Sequence, residues 1–276
     1  VIRIVIGVYV GLGLVLALFQ TQLIFPGAAS QGRPDSVIGP IDGGEIVTLQ
    51  AKTGEKVVAL FGAALTPDGR PRPDAASRPT LLYFYGNGMC LADCAGEFMK
   101  LRRRGFNIMI PDFVGYGMSD GKPSEQGVYA TADACFDHLM QRSDVDAKRI
   151  VPMGWSLGAA AAIHLASTRQ TPCLITVSAF TSMGEMARQL FPYMPTSLLL
   201  KHHFENEKKL RDVRIPIFIA HGTRDGIIPF SMSAKLAAAA GGKVTKYDVV
   251  DGDHNDVFDV GGTGLLDAIS EFVERH

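Results

Sequence analysis

The stretch RIVPMGWSLGAAAAIHLAS, Arg149 to Ser167, decides how the chain is read. Its first part, RIVPMG, is a short apolar run of the kind that forms a buried strand. The part from Leu157 onward is Ala-rich and has high helix propensity. Between them Gly154, Ser156 and Gly158 form G-x-S-x-G, the pattern that holds a serine on a sharp strand-to-helix turn. The two glycines let strand and helix backbones approach while Ser156 takes a strained conformation. The amides that open the helix, with Leu157 first among them, then point at the oxygen of a reacting group.

The same pattern occurs once more, on Gly117, Ser119 and Gly121 of GYGMSDGKP. That copy follows a glycine-rich stretch and runs into Lys122-Pro123, where the residue before proline is turned away from helix. The setting therefore selects Ser156 as the candidate nucleophile and leaves Ser119 in a turn.

Outward from this stretch, apolar strands alternate with helical segments. The strands are TLLYFYG (80–86), FNIMIPD (106–112), RIVPMG (149–154), CLITVSAF (173–180), IPIFIAHG (215–222) and KVTKYDVV (243–250). Several are continuous apolar runs, as expected of strands buried on both faces. EIVTLQA and KVVALFGAAL, around Lys52-Thr53-Gly54-Glu55, read as a hairpin. From Gly127 to Met140 the residues Val128, Ala132, Cys135, Phe136 and Leu139 share one helical face. Further helices are expected from near Met89, Leu157, Ser231 and Gly264. Such alternation predicts an α/β fold: a mainly parallel sheet with helices on both faces, and a ligand site at the carboxyl ends of its strands. One insert breaks the alternation, about 181–214, and its many apolar residues read as a small cap over a pocket or as packing on the sheet edge.

A serine hydroxyl needs a base to take its proton and a carboxylate to orient that base. Of seven histidines, His164 lies on the serine's own helix about 12 Å of rise away. His138 is mid-helix, His276 is terminal, and His202 and His203 sit in the insert. His221 ends a strand and reads as a structural imidazole. His254, in the turn-rich VVDGDHNDVF, is left as the base. Asp225 follows IPIFIAHGTR at another strand end and is the expected acid, whereas Asp251, Asp253 and Asp256 read as turn caps. The order Ser156, Asp225, His254 is the one this kind of sheet uses. The amides of Leu157 and Asn87 are the expected oxyanion hole, the second from the GNGM loop after TLLYFYG.

At the N-terminus, Ile4 to Phe25 contains no charged residue, enough to cross a bilayer core of about 30 Å as a helix. Residues 1–26 are thus expected to be a transmembrane anchor, with a cleaved signal peptide as the competing reading. Residues 27–44 read as a linker and 45–276 as the catalytic domain. Arg3 and Arg33 give a weak charge bias for a catalytic domain outside the cytoplasm. Four cysteines at helical or strand positions read as buried hydrophobes, ahead of a Cys90–Cys94 bridge or metal pair. With a net charge of -1, nucleic acid is not an expected partner. No metal or organic cofactor is implied.

Taken together, YFYGNG, PDFVGYGMSDG, GWSLG, HGTRDGIIP and GDHND resemble the α/β-hydrolase superfamily from about Glu45 onward. The anchor followed by QTQLIFPG is similar to small single-pass membrane hydrolases, among them acyl-protein thioesterases and monoacylglycerol lipases. The resemblance implies Ser156 as nucleophile, Asp225 as acid and His254 as base, and a structural loop over Asp112 to Ser119. Family members often have histidine where this chain has Tyr85. The expected function is a serine hydrolase of acyl esters or thioesters, with the lipid bilayer as a partner. A peptidase or amidase of the same fold, or a catalytically silent membrane-tethered binding protein, are the alternatives.

Overall fold

All eight expected strands pair into a single sheet. The computed structural model describes the backbone of residues 2–276, and their side chains except those of Ile2, Val5, Ile6, Val8, Val10, Ser197 and Leu198. In chain order the elements are α1 (Ile2–Ile24), β1 (Glu45–Gln50), β2 (Lys56–Gly62), β3 (Thr80–Phe84), α2 (Ala95–Arg103), β4 (Asn107–Pro111) and α3 (Glu125–Leu139). They continue as β5 (Ile150–Trp155), α4 (Leu157–Thr168), β6 (Leu174–Val177), α5 (Met183–Leu190), α6 (Thr196–Leu199) and α7 (Asn206–Leu210). The last are β7 (Ile217–Gly222), α8 (Ser231–Ala239), β8 (Val244–Val249) and α9 (Val257–Glu274).

The sheet order is β1-β2-β4-β3-β5-β6-β7-β8. The hairpin β1–β2 and its junction with β4 are antiparallel, and every pairing from β4 through β8 is parallel. Burial follows the sequence pattern. The continuous apolar runs of β3 to β7 are buried at every residue, whereas the edge strands β1 and β8 alternate toward solvent. Helices α3, α4, α7 and α8 pack together over one face. Helices α2 and α9, joined by the Arg104–Asp267 ion pair, cover the other. Both faces are thereby removed from water, which is what a parallel sheet requires.

Two helix starts differ from expectation. The helix expected near Met89 begins at Ala95, because Leu91–Cys94 first form a tighter turn. That turn is fixed by the Cys90 amide donating to Asp93 Oδ2 at 2.8 Å and the Leu91 amide donating to Asp112 Oδ1 at 2.6 Å. The helix expected near Gly264 begins at Val257, with Gly262 at φ +47° kinking it. A glycine-rich stretch there bends the helix where the sequence suggested a start. All four cysteines are buried and unbridged.

The transmembrane helix expected at residues 1–26 is not supported. The segment is helical as α1, yet among the described residues no helix is long and apolar enough to cross a membrane. Its last turns also carry polar side chains that bond to the protein. Gln20 donates to Leu199 O at 2.9 Å and accepts from the Lys201 amide at 2.6 Å, and Thr21 Oγ1 lies 3.2 Å from His202 Nε2. Phe25 is buried, and Gly27 sits so close to the Tyr116 ring that a Cβ would lie 2.3 Å from it.

Close backbone approach is required at the turn between β5 and α4. A Cβ on Gly158 would lie 2.0 Å from Phe84 O, and one on Gly154 would lie 2.2 Å from Gly158 O. Both obstacles are backbone and cannot rotate away. Gly158→Ala is therefore expected to destabilise the fold by about 3 kcal/mol or more, through overpacking. Thermal melting checks this, and an unchanged Tm would contradict the packing described.

Candidate active site

Ser156 occupies the step from β5 to α4 with φ +55° and ψ -118°, a rare conformation for a residue with a Cβ. Its amide donates to Val177 O at 2.9 Å on the neighbouring strand, which locks the turn to the sheet. The hydroxyl then stands at the carboxyl end of the strands, where the chain order predicted a site. Three residues distant in sequence converge there. His254 Nε2 lies 2.9 Å from Ser156 Oγ, and His254 Nδ1 lies 2.8 Å from Asp225 Oδ2. All three are buried.

Asp225 is held by more than His254. Its Oδ1 accepts the amides of Ile227 at 3.0 Å and Ile228 at 2.7 Å, in the turn that follows β7. Its Oδ2 also lies 3.2 Å from Nε2 of buried His221, which donates to Ile228 O at 2.9 Å. Burial pushes the Asp225 carboxyl up. Hydrogen bonds from His221 and His254, the charge of His254 and the Ile228 amide outweigh it and hold the group well below the usual carboxylate range. An ionised acid in this position fixes Nδ1 as the protonated nitrogen of His254 and leaves Nε2 free to accept the Ser156 proton.

The neighbouring aspartates behave as turn caps. Asp253 Oδ1 accepts the His254 amide at 2.6 Å and the Gly226 amide at 2.9 Å, so one carboxylate ties the turn carrying His254 to the turn carrying Asp225. Asp256 Oδ1 accepts the Asp253 amide at 2.6 Å. Asp251 pairs with Arg224 at the surface. The other histidines lie elsewhere: His164 stacks on Tyr129 and bonds Asp133, and His202 meets Thr21 and the Glu125 amide.

Asn87 and Leu157 line the same cavity as Ser156 and His254. Leu157 is the first residue of α4, so its amide has no acceptor within the helix. Among the described residues neither the Leu157 nor the Asn87 amide donates to another group. Two free N–H groups beside a buried hydroxyl suit a developing negative charge. The Asn87 side chain is occupied elsewhere. Its Nδ2 donates to Ile24 O at the end of α1, and its Oδ1 accepts from Tyr116 Oη at 2.9 Å.

Tyr85 turns its hydroxyl to Asp112 Oδ1 at 2.9 Å. Asp112 also accepts the amides of Leu91 and Met118 at 2.6 and 2.8 Å. Burial raises its pKa, against the pull of these hydrogen bonds. The loop after β3 and the turn after β4 are thus joined through a single carboxylate. Ser119 belongs to that turn: its hydroxyl donates to Asp112 O at 2.8 Å and accepts the Val58 amide at 2.9 Å. It is buried, and among the described residues no imidazole bonds to it.

A cavity of about 380 Å³ lies over Ser156 and His254, within the range of about 300–1,000 Å³ usual for small-molecule sites. The insert between β6 and β7 divides its roles. Met183, Met186 and Leu190 of α5, with Leu199 and Leu200, line the cavity, whereas α7 packs onto α4. Further lining comes from α1 through Leu16, Gln20, Leu23 and Ile24. Sequence reading did not foresee that contribution. His221 and Asp253 take the structural imidazole and turn-cap roles the sequence suggested, but their direct bonds to Asp225 and to the His254 amide were not foreseen.

Residues 79–199 match the family described as alpha/beta hydrolase fold. An uncharacterised protein of Mycobacterium tuberculosis is 32% identical over 95% of this chain and 90% of its own length. Protein bem46 of Schizosaccharomyces pombe is 28% identical over 94% of this chain and 87% of its own. Among solved structures, the esterase Pf2001 of Pyrococcus furiosus superposes with a TM-score of 0.66 at 18% identity, over 84% of this chain and 92% of that one. An acetyl xylan esterase from Paenibacillus sp. R4 gives a TM-score of 0.67 at 15% identity, over 89% and 86%. At these identities the structural matches speak for the fold alone.

Proposed function

Because the chain belongs to the α/β-hydrolase superfamily, we propose that it is a serine hydrolase that cleaves acyl esters or thioesters through an acyl-enzyme on Ser156. The observation that carries this reading is the unbroken chain from Ser156 Oγ through His254 to Asp225, at 2.9 and 2.8 Å. Ser156 attacks the carbonyl carbon as His254 takes its proton, and the amides of Asn87 and Leu157 receive the oxyanion. His254 returns the proton to the leaving alcohol or thiol. Water then enters by the same route, with His254 as base, and releases the acid.

The cavity lining favours an acyl substrate, since most side chains around Ser156 are aliphatic or methionine. Exposed Leu12, Leu14, Val15, Leu18 and Phe19 on α1 support contact of this helix with a lipid surface, from which such a substrate would be drawn.

The test is labelling of the full chain by a fluorophosphonate probe. The wild type and Ser119→Ala are expected to label and Ser156→Ala is not. Ser119→Ala should also melt earlier, because an unpaired Val58 amide and Asp112 carbonyl cost about 1–3 kcal/mol each. Labelling that persists in Ser156→Ala would sink the assignment of the nucleophile. An unlabelled wild type would favour the silent binding protein.

A further inference from the structure

The cavity over Ser156 has two walls of different origin, and the one supplied by α1 has a direction. Ile24 marks its inner end, because Ile24 O accepts the side-chain amide of Asn87 beside Ser156. Leu16 marks the outer end, eight residues and roughly 12 Å of helix rise away. Leu16, Gln20, Leu23 and Ile24 follow the i, i+4, i+7, i+8 spacing of one helix face and all line the cavity. Gln20 is the polar member of this stripe, and its amide is consumed by Ala17 O, Leu199 O and the Lys201 N–H. The stripe is therefore apolar toward the cavity, while Gln20 fastens it to the segment that carries the other wall. One turn further out, Gly13 allows close approach: a Cβ there would lie 3.3 Å from Met194 Cε.

We infer that α1 gauges acyl-chain length, the acyl group lying from Ser156 along the Ile24–Leu16 stripe, between α1 and helices α5 and α6. The inference rests on the acyl-ester reading above. It assigns the substrate class as esters or thioesters of extended, unbranched acyl groups, and it names Leu16 as a residue that sets the length accepted.

The experiment measures kcat/KM of the full chain on p-nitrophenyl esters from acetate to tetradecanoate, for wild type, Leu16→Trp and Leu16→Ala. Leu16→Trp is expected to lower the ratio of decanoate to acetate kcat/KM about tenfold or more, since misfit by small apolar groups discriminates by about 10–200-fold. Leu16→Ala should move the optimum to longer chains, and as a truncation it keeps the test open if the tryptophan variant does not fold. If the wild type hydrolyses esters and labels with fluorophosphonate, but both variants keep its chain-length profile, the inference falls and the proposed function stands. A wild type that turns over no ester removes both.

Discussion

Ser156→Ala and His254→Ala are each expected to lower kcat for ester hydrolysis by about a million-fold. The size follows from their geometry. A hydroxyl without the imidazole is a poor nucleophile at neutral pH, and the imidazole without the hydroxyl has no acyl acceptor to activate. Each variant leaves the free amides of Leu157 and Asn87 and the cavity intact, so weak residual turnover should persist from positioning and oxyanion binding. The double variant should be no slower than either single one, because the two groups act as one unit. A steady-state assay with a p-nitrophenyl ester, corrected for background hydrolysis, checks all three proteins. A loss of less than a hundredfold in either single variant would remove that residue from the chemistry.

Asp225→Asn is expected to lower kcat by about ten-thousand-fold, for a reason visible in its contacts. Oδ1 accepts two backbone amides, from Ile227 and Ile228, so the asparagine must keep its oxygen there. Its NH2 then faces His254 Nδ1, which has to become an acceptor and moves the imidazole proton to Nε2. The nitrogen 2.9 Å from Ser156 Oγ would carry a hydrogen and could not take another. The same variant changes the acid limb of stability. Because the Asp225 carboxyl is held below its ordinary range, its ionised form contributes stability in full above the unfolded-state pKa of about 3.9. That contribution is lost as the pH falls through the lower folded value. Between about pH 4 and pH 2 the Tm of Asp225→Asn should therefore fall less steeply than that of the wild type. Parallel melting curves for the two would contradict the sign.

Much of this was legible in the chain because it rests on local pattern. Strands β3 to β7 announced themselves as unbroken apolar runs, and those runs are the ones buried on both faces. Ser156, Asp225 and His254 stood out since each sits in a turn at a strand end, and a parallel sheet gathers such turns at one edge. What escaped was set by contacts between distant segments. Nothing local marks Asn87 as a residue whose side chain grips Ile24 O, or Asp253 as the carboxylate shared by two turns. The helix starts near Met89 and Gly264 moved because Asp112 fixes Leu91 from another strand end and Gly262 bends α9 without ending it. Hydropathy read the first helix as lipid-seeking by counting uncharged side chains. It could not register that Gln20 and Thr21 have partners in the insert.

The hydrogen bond from Asn87 Nδ2 to Ile24 O gives the leading helix a second identity. An apolar helix of this sort is ordinarily trimmed away to obtain protein that behaves in aqueous buffer, on the assumption that it carries only an address. Here the last carbonyl of α1 holds the loop that lines the cavity with Ser156. A chain shortened by this helix would have one side of the cavity open and that loop untethered, so a ligand profile gathered from it would describe the truncation.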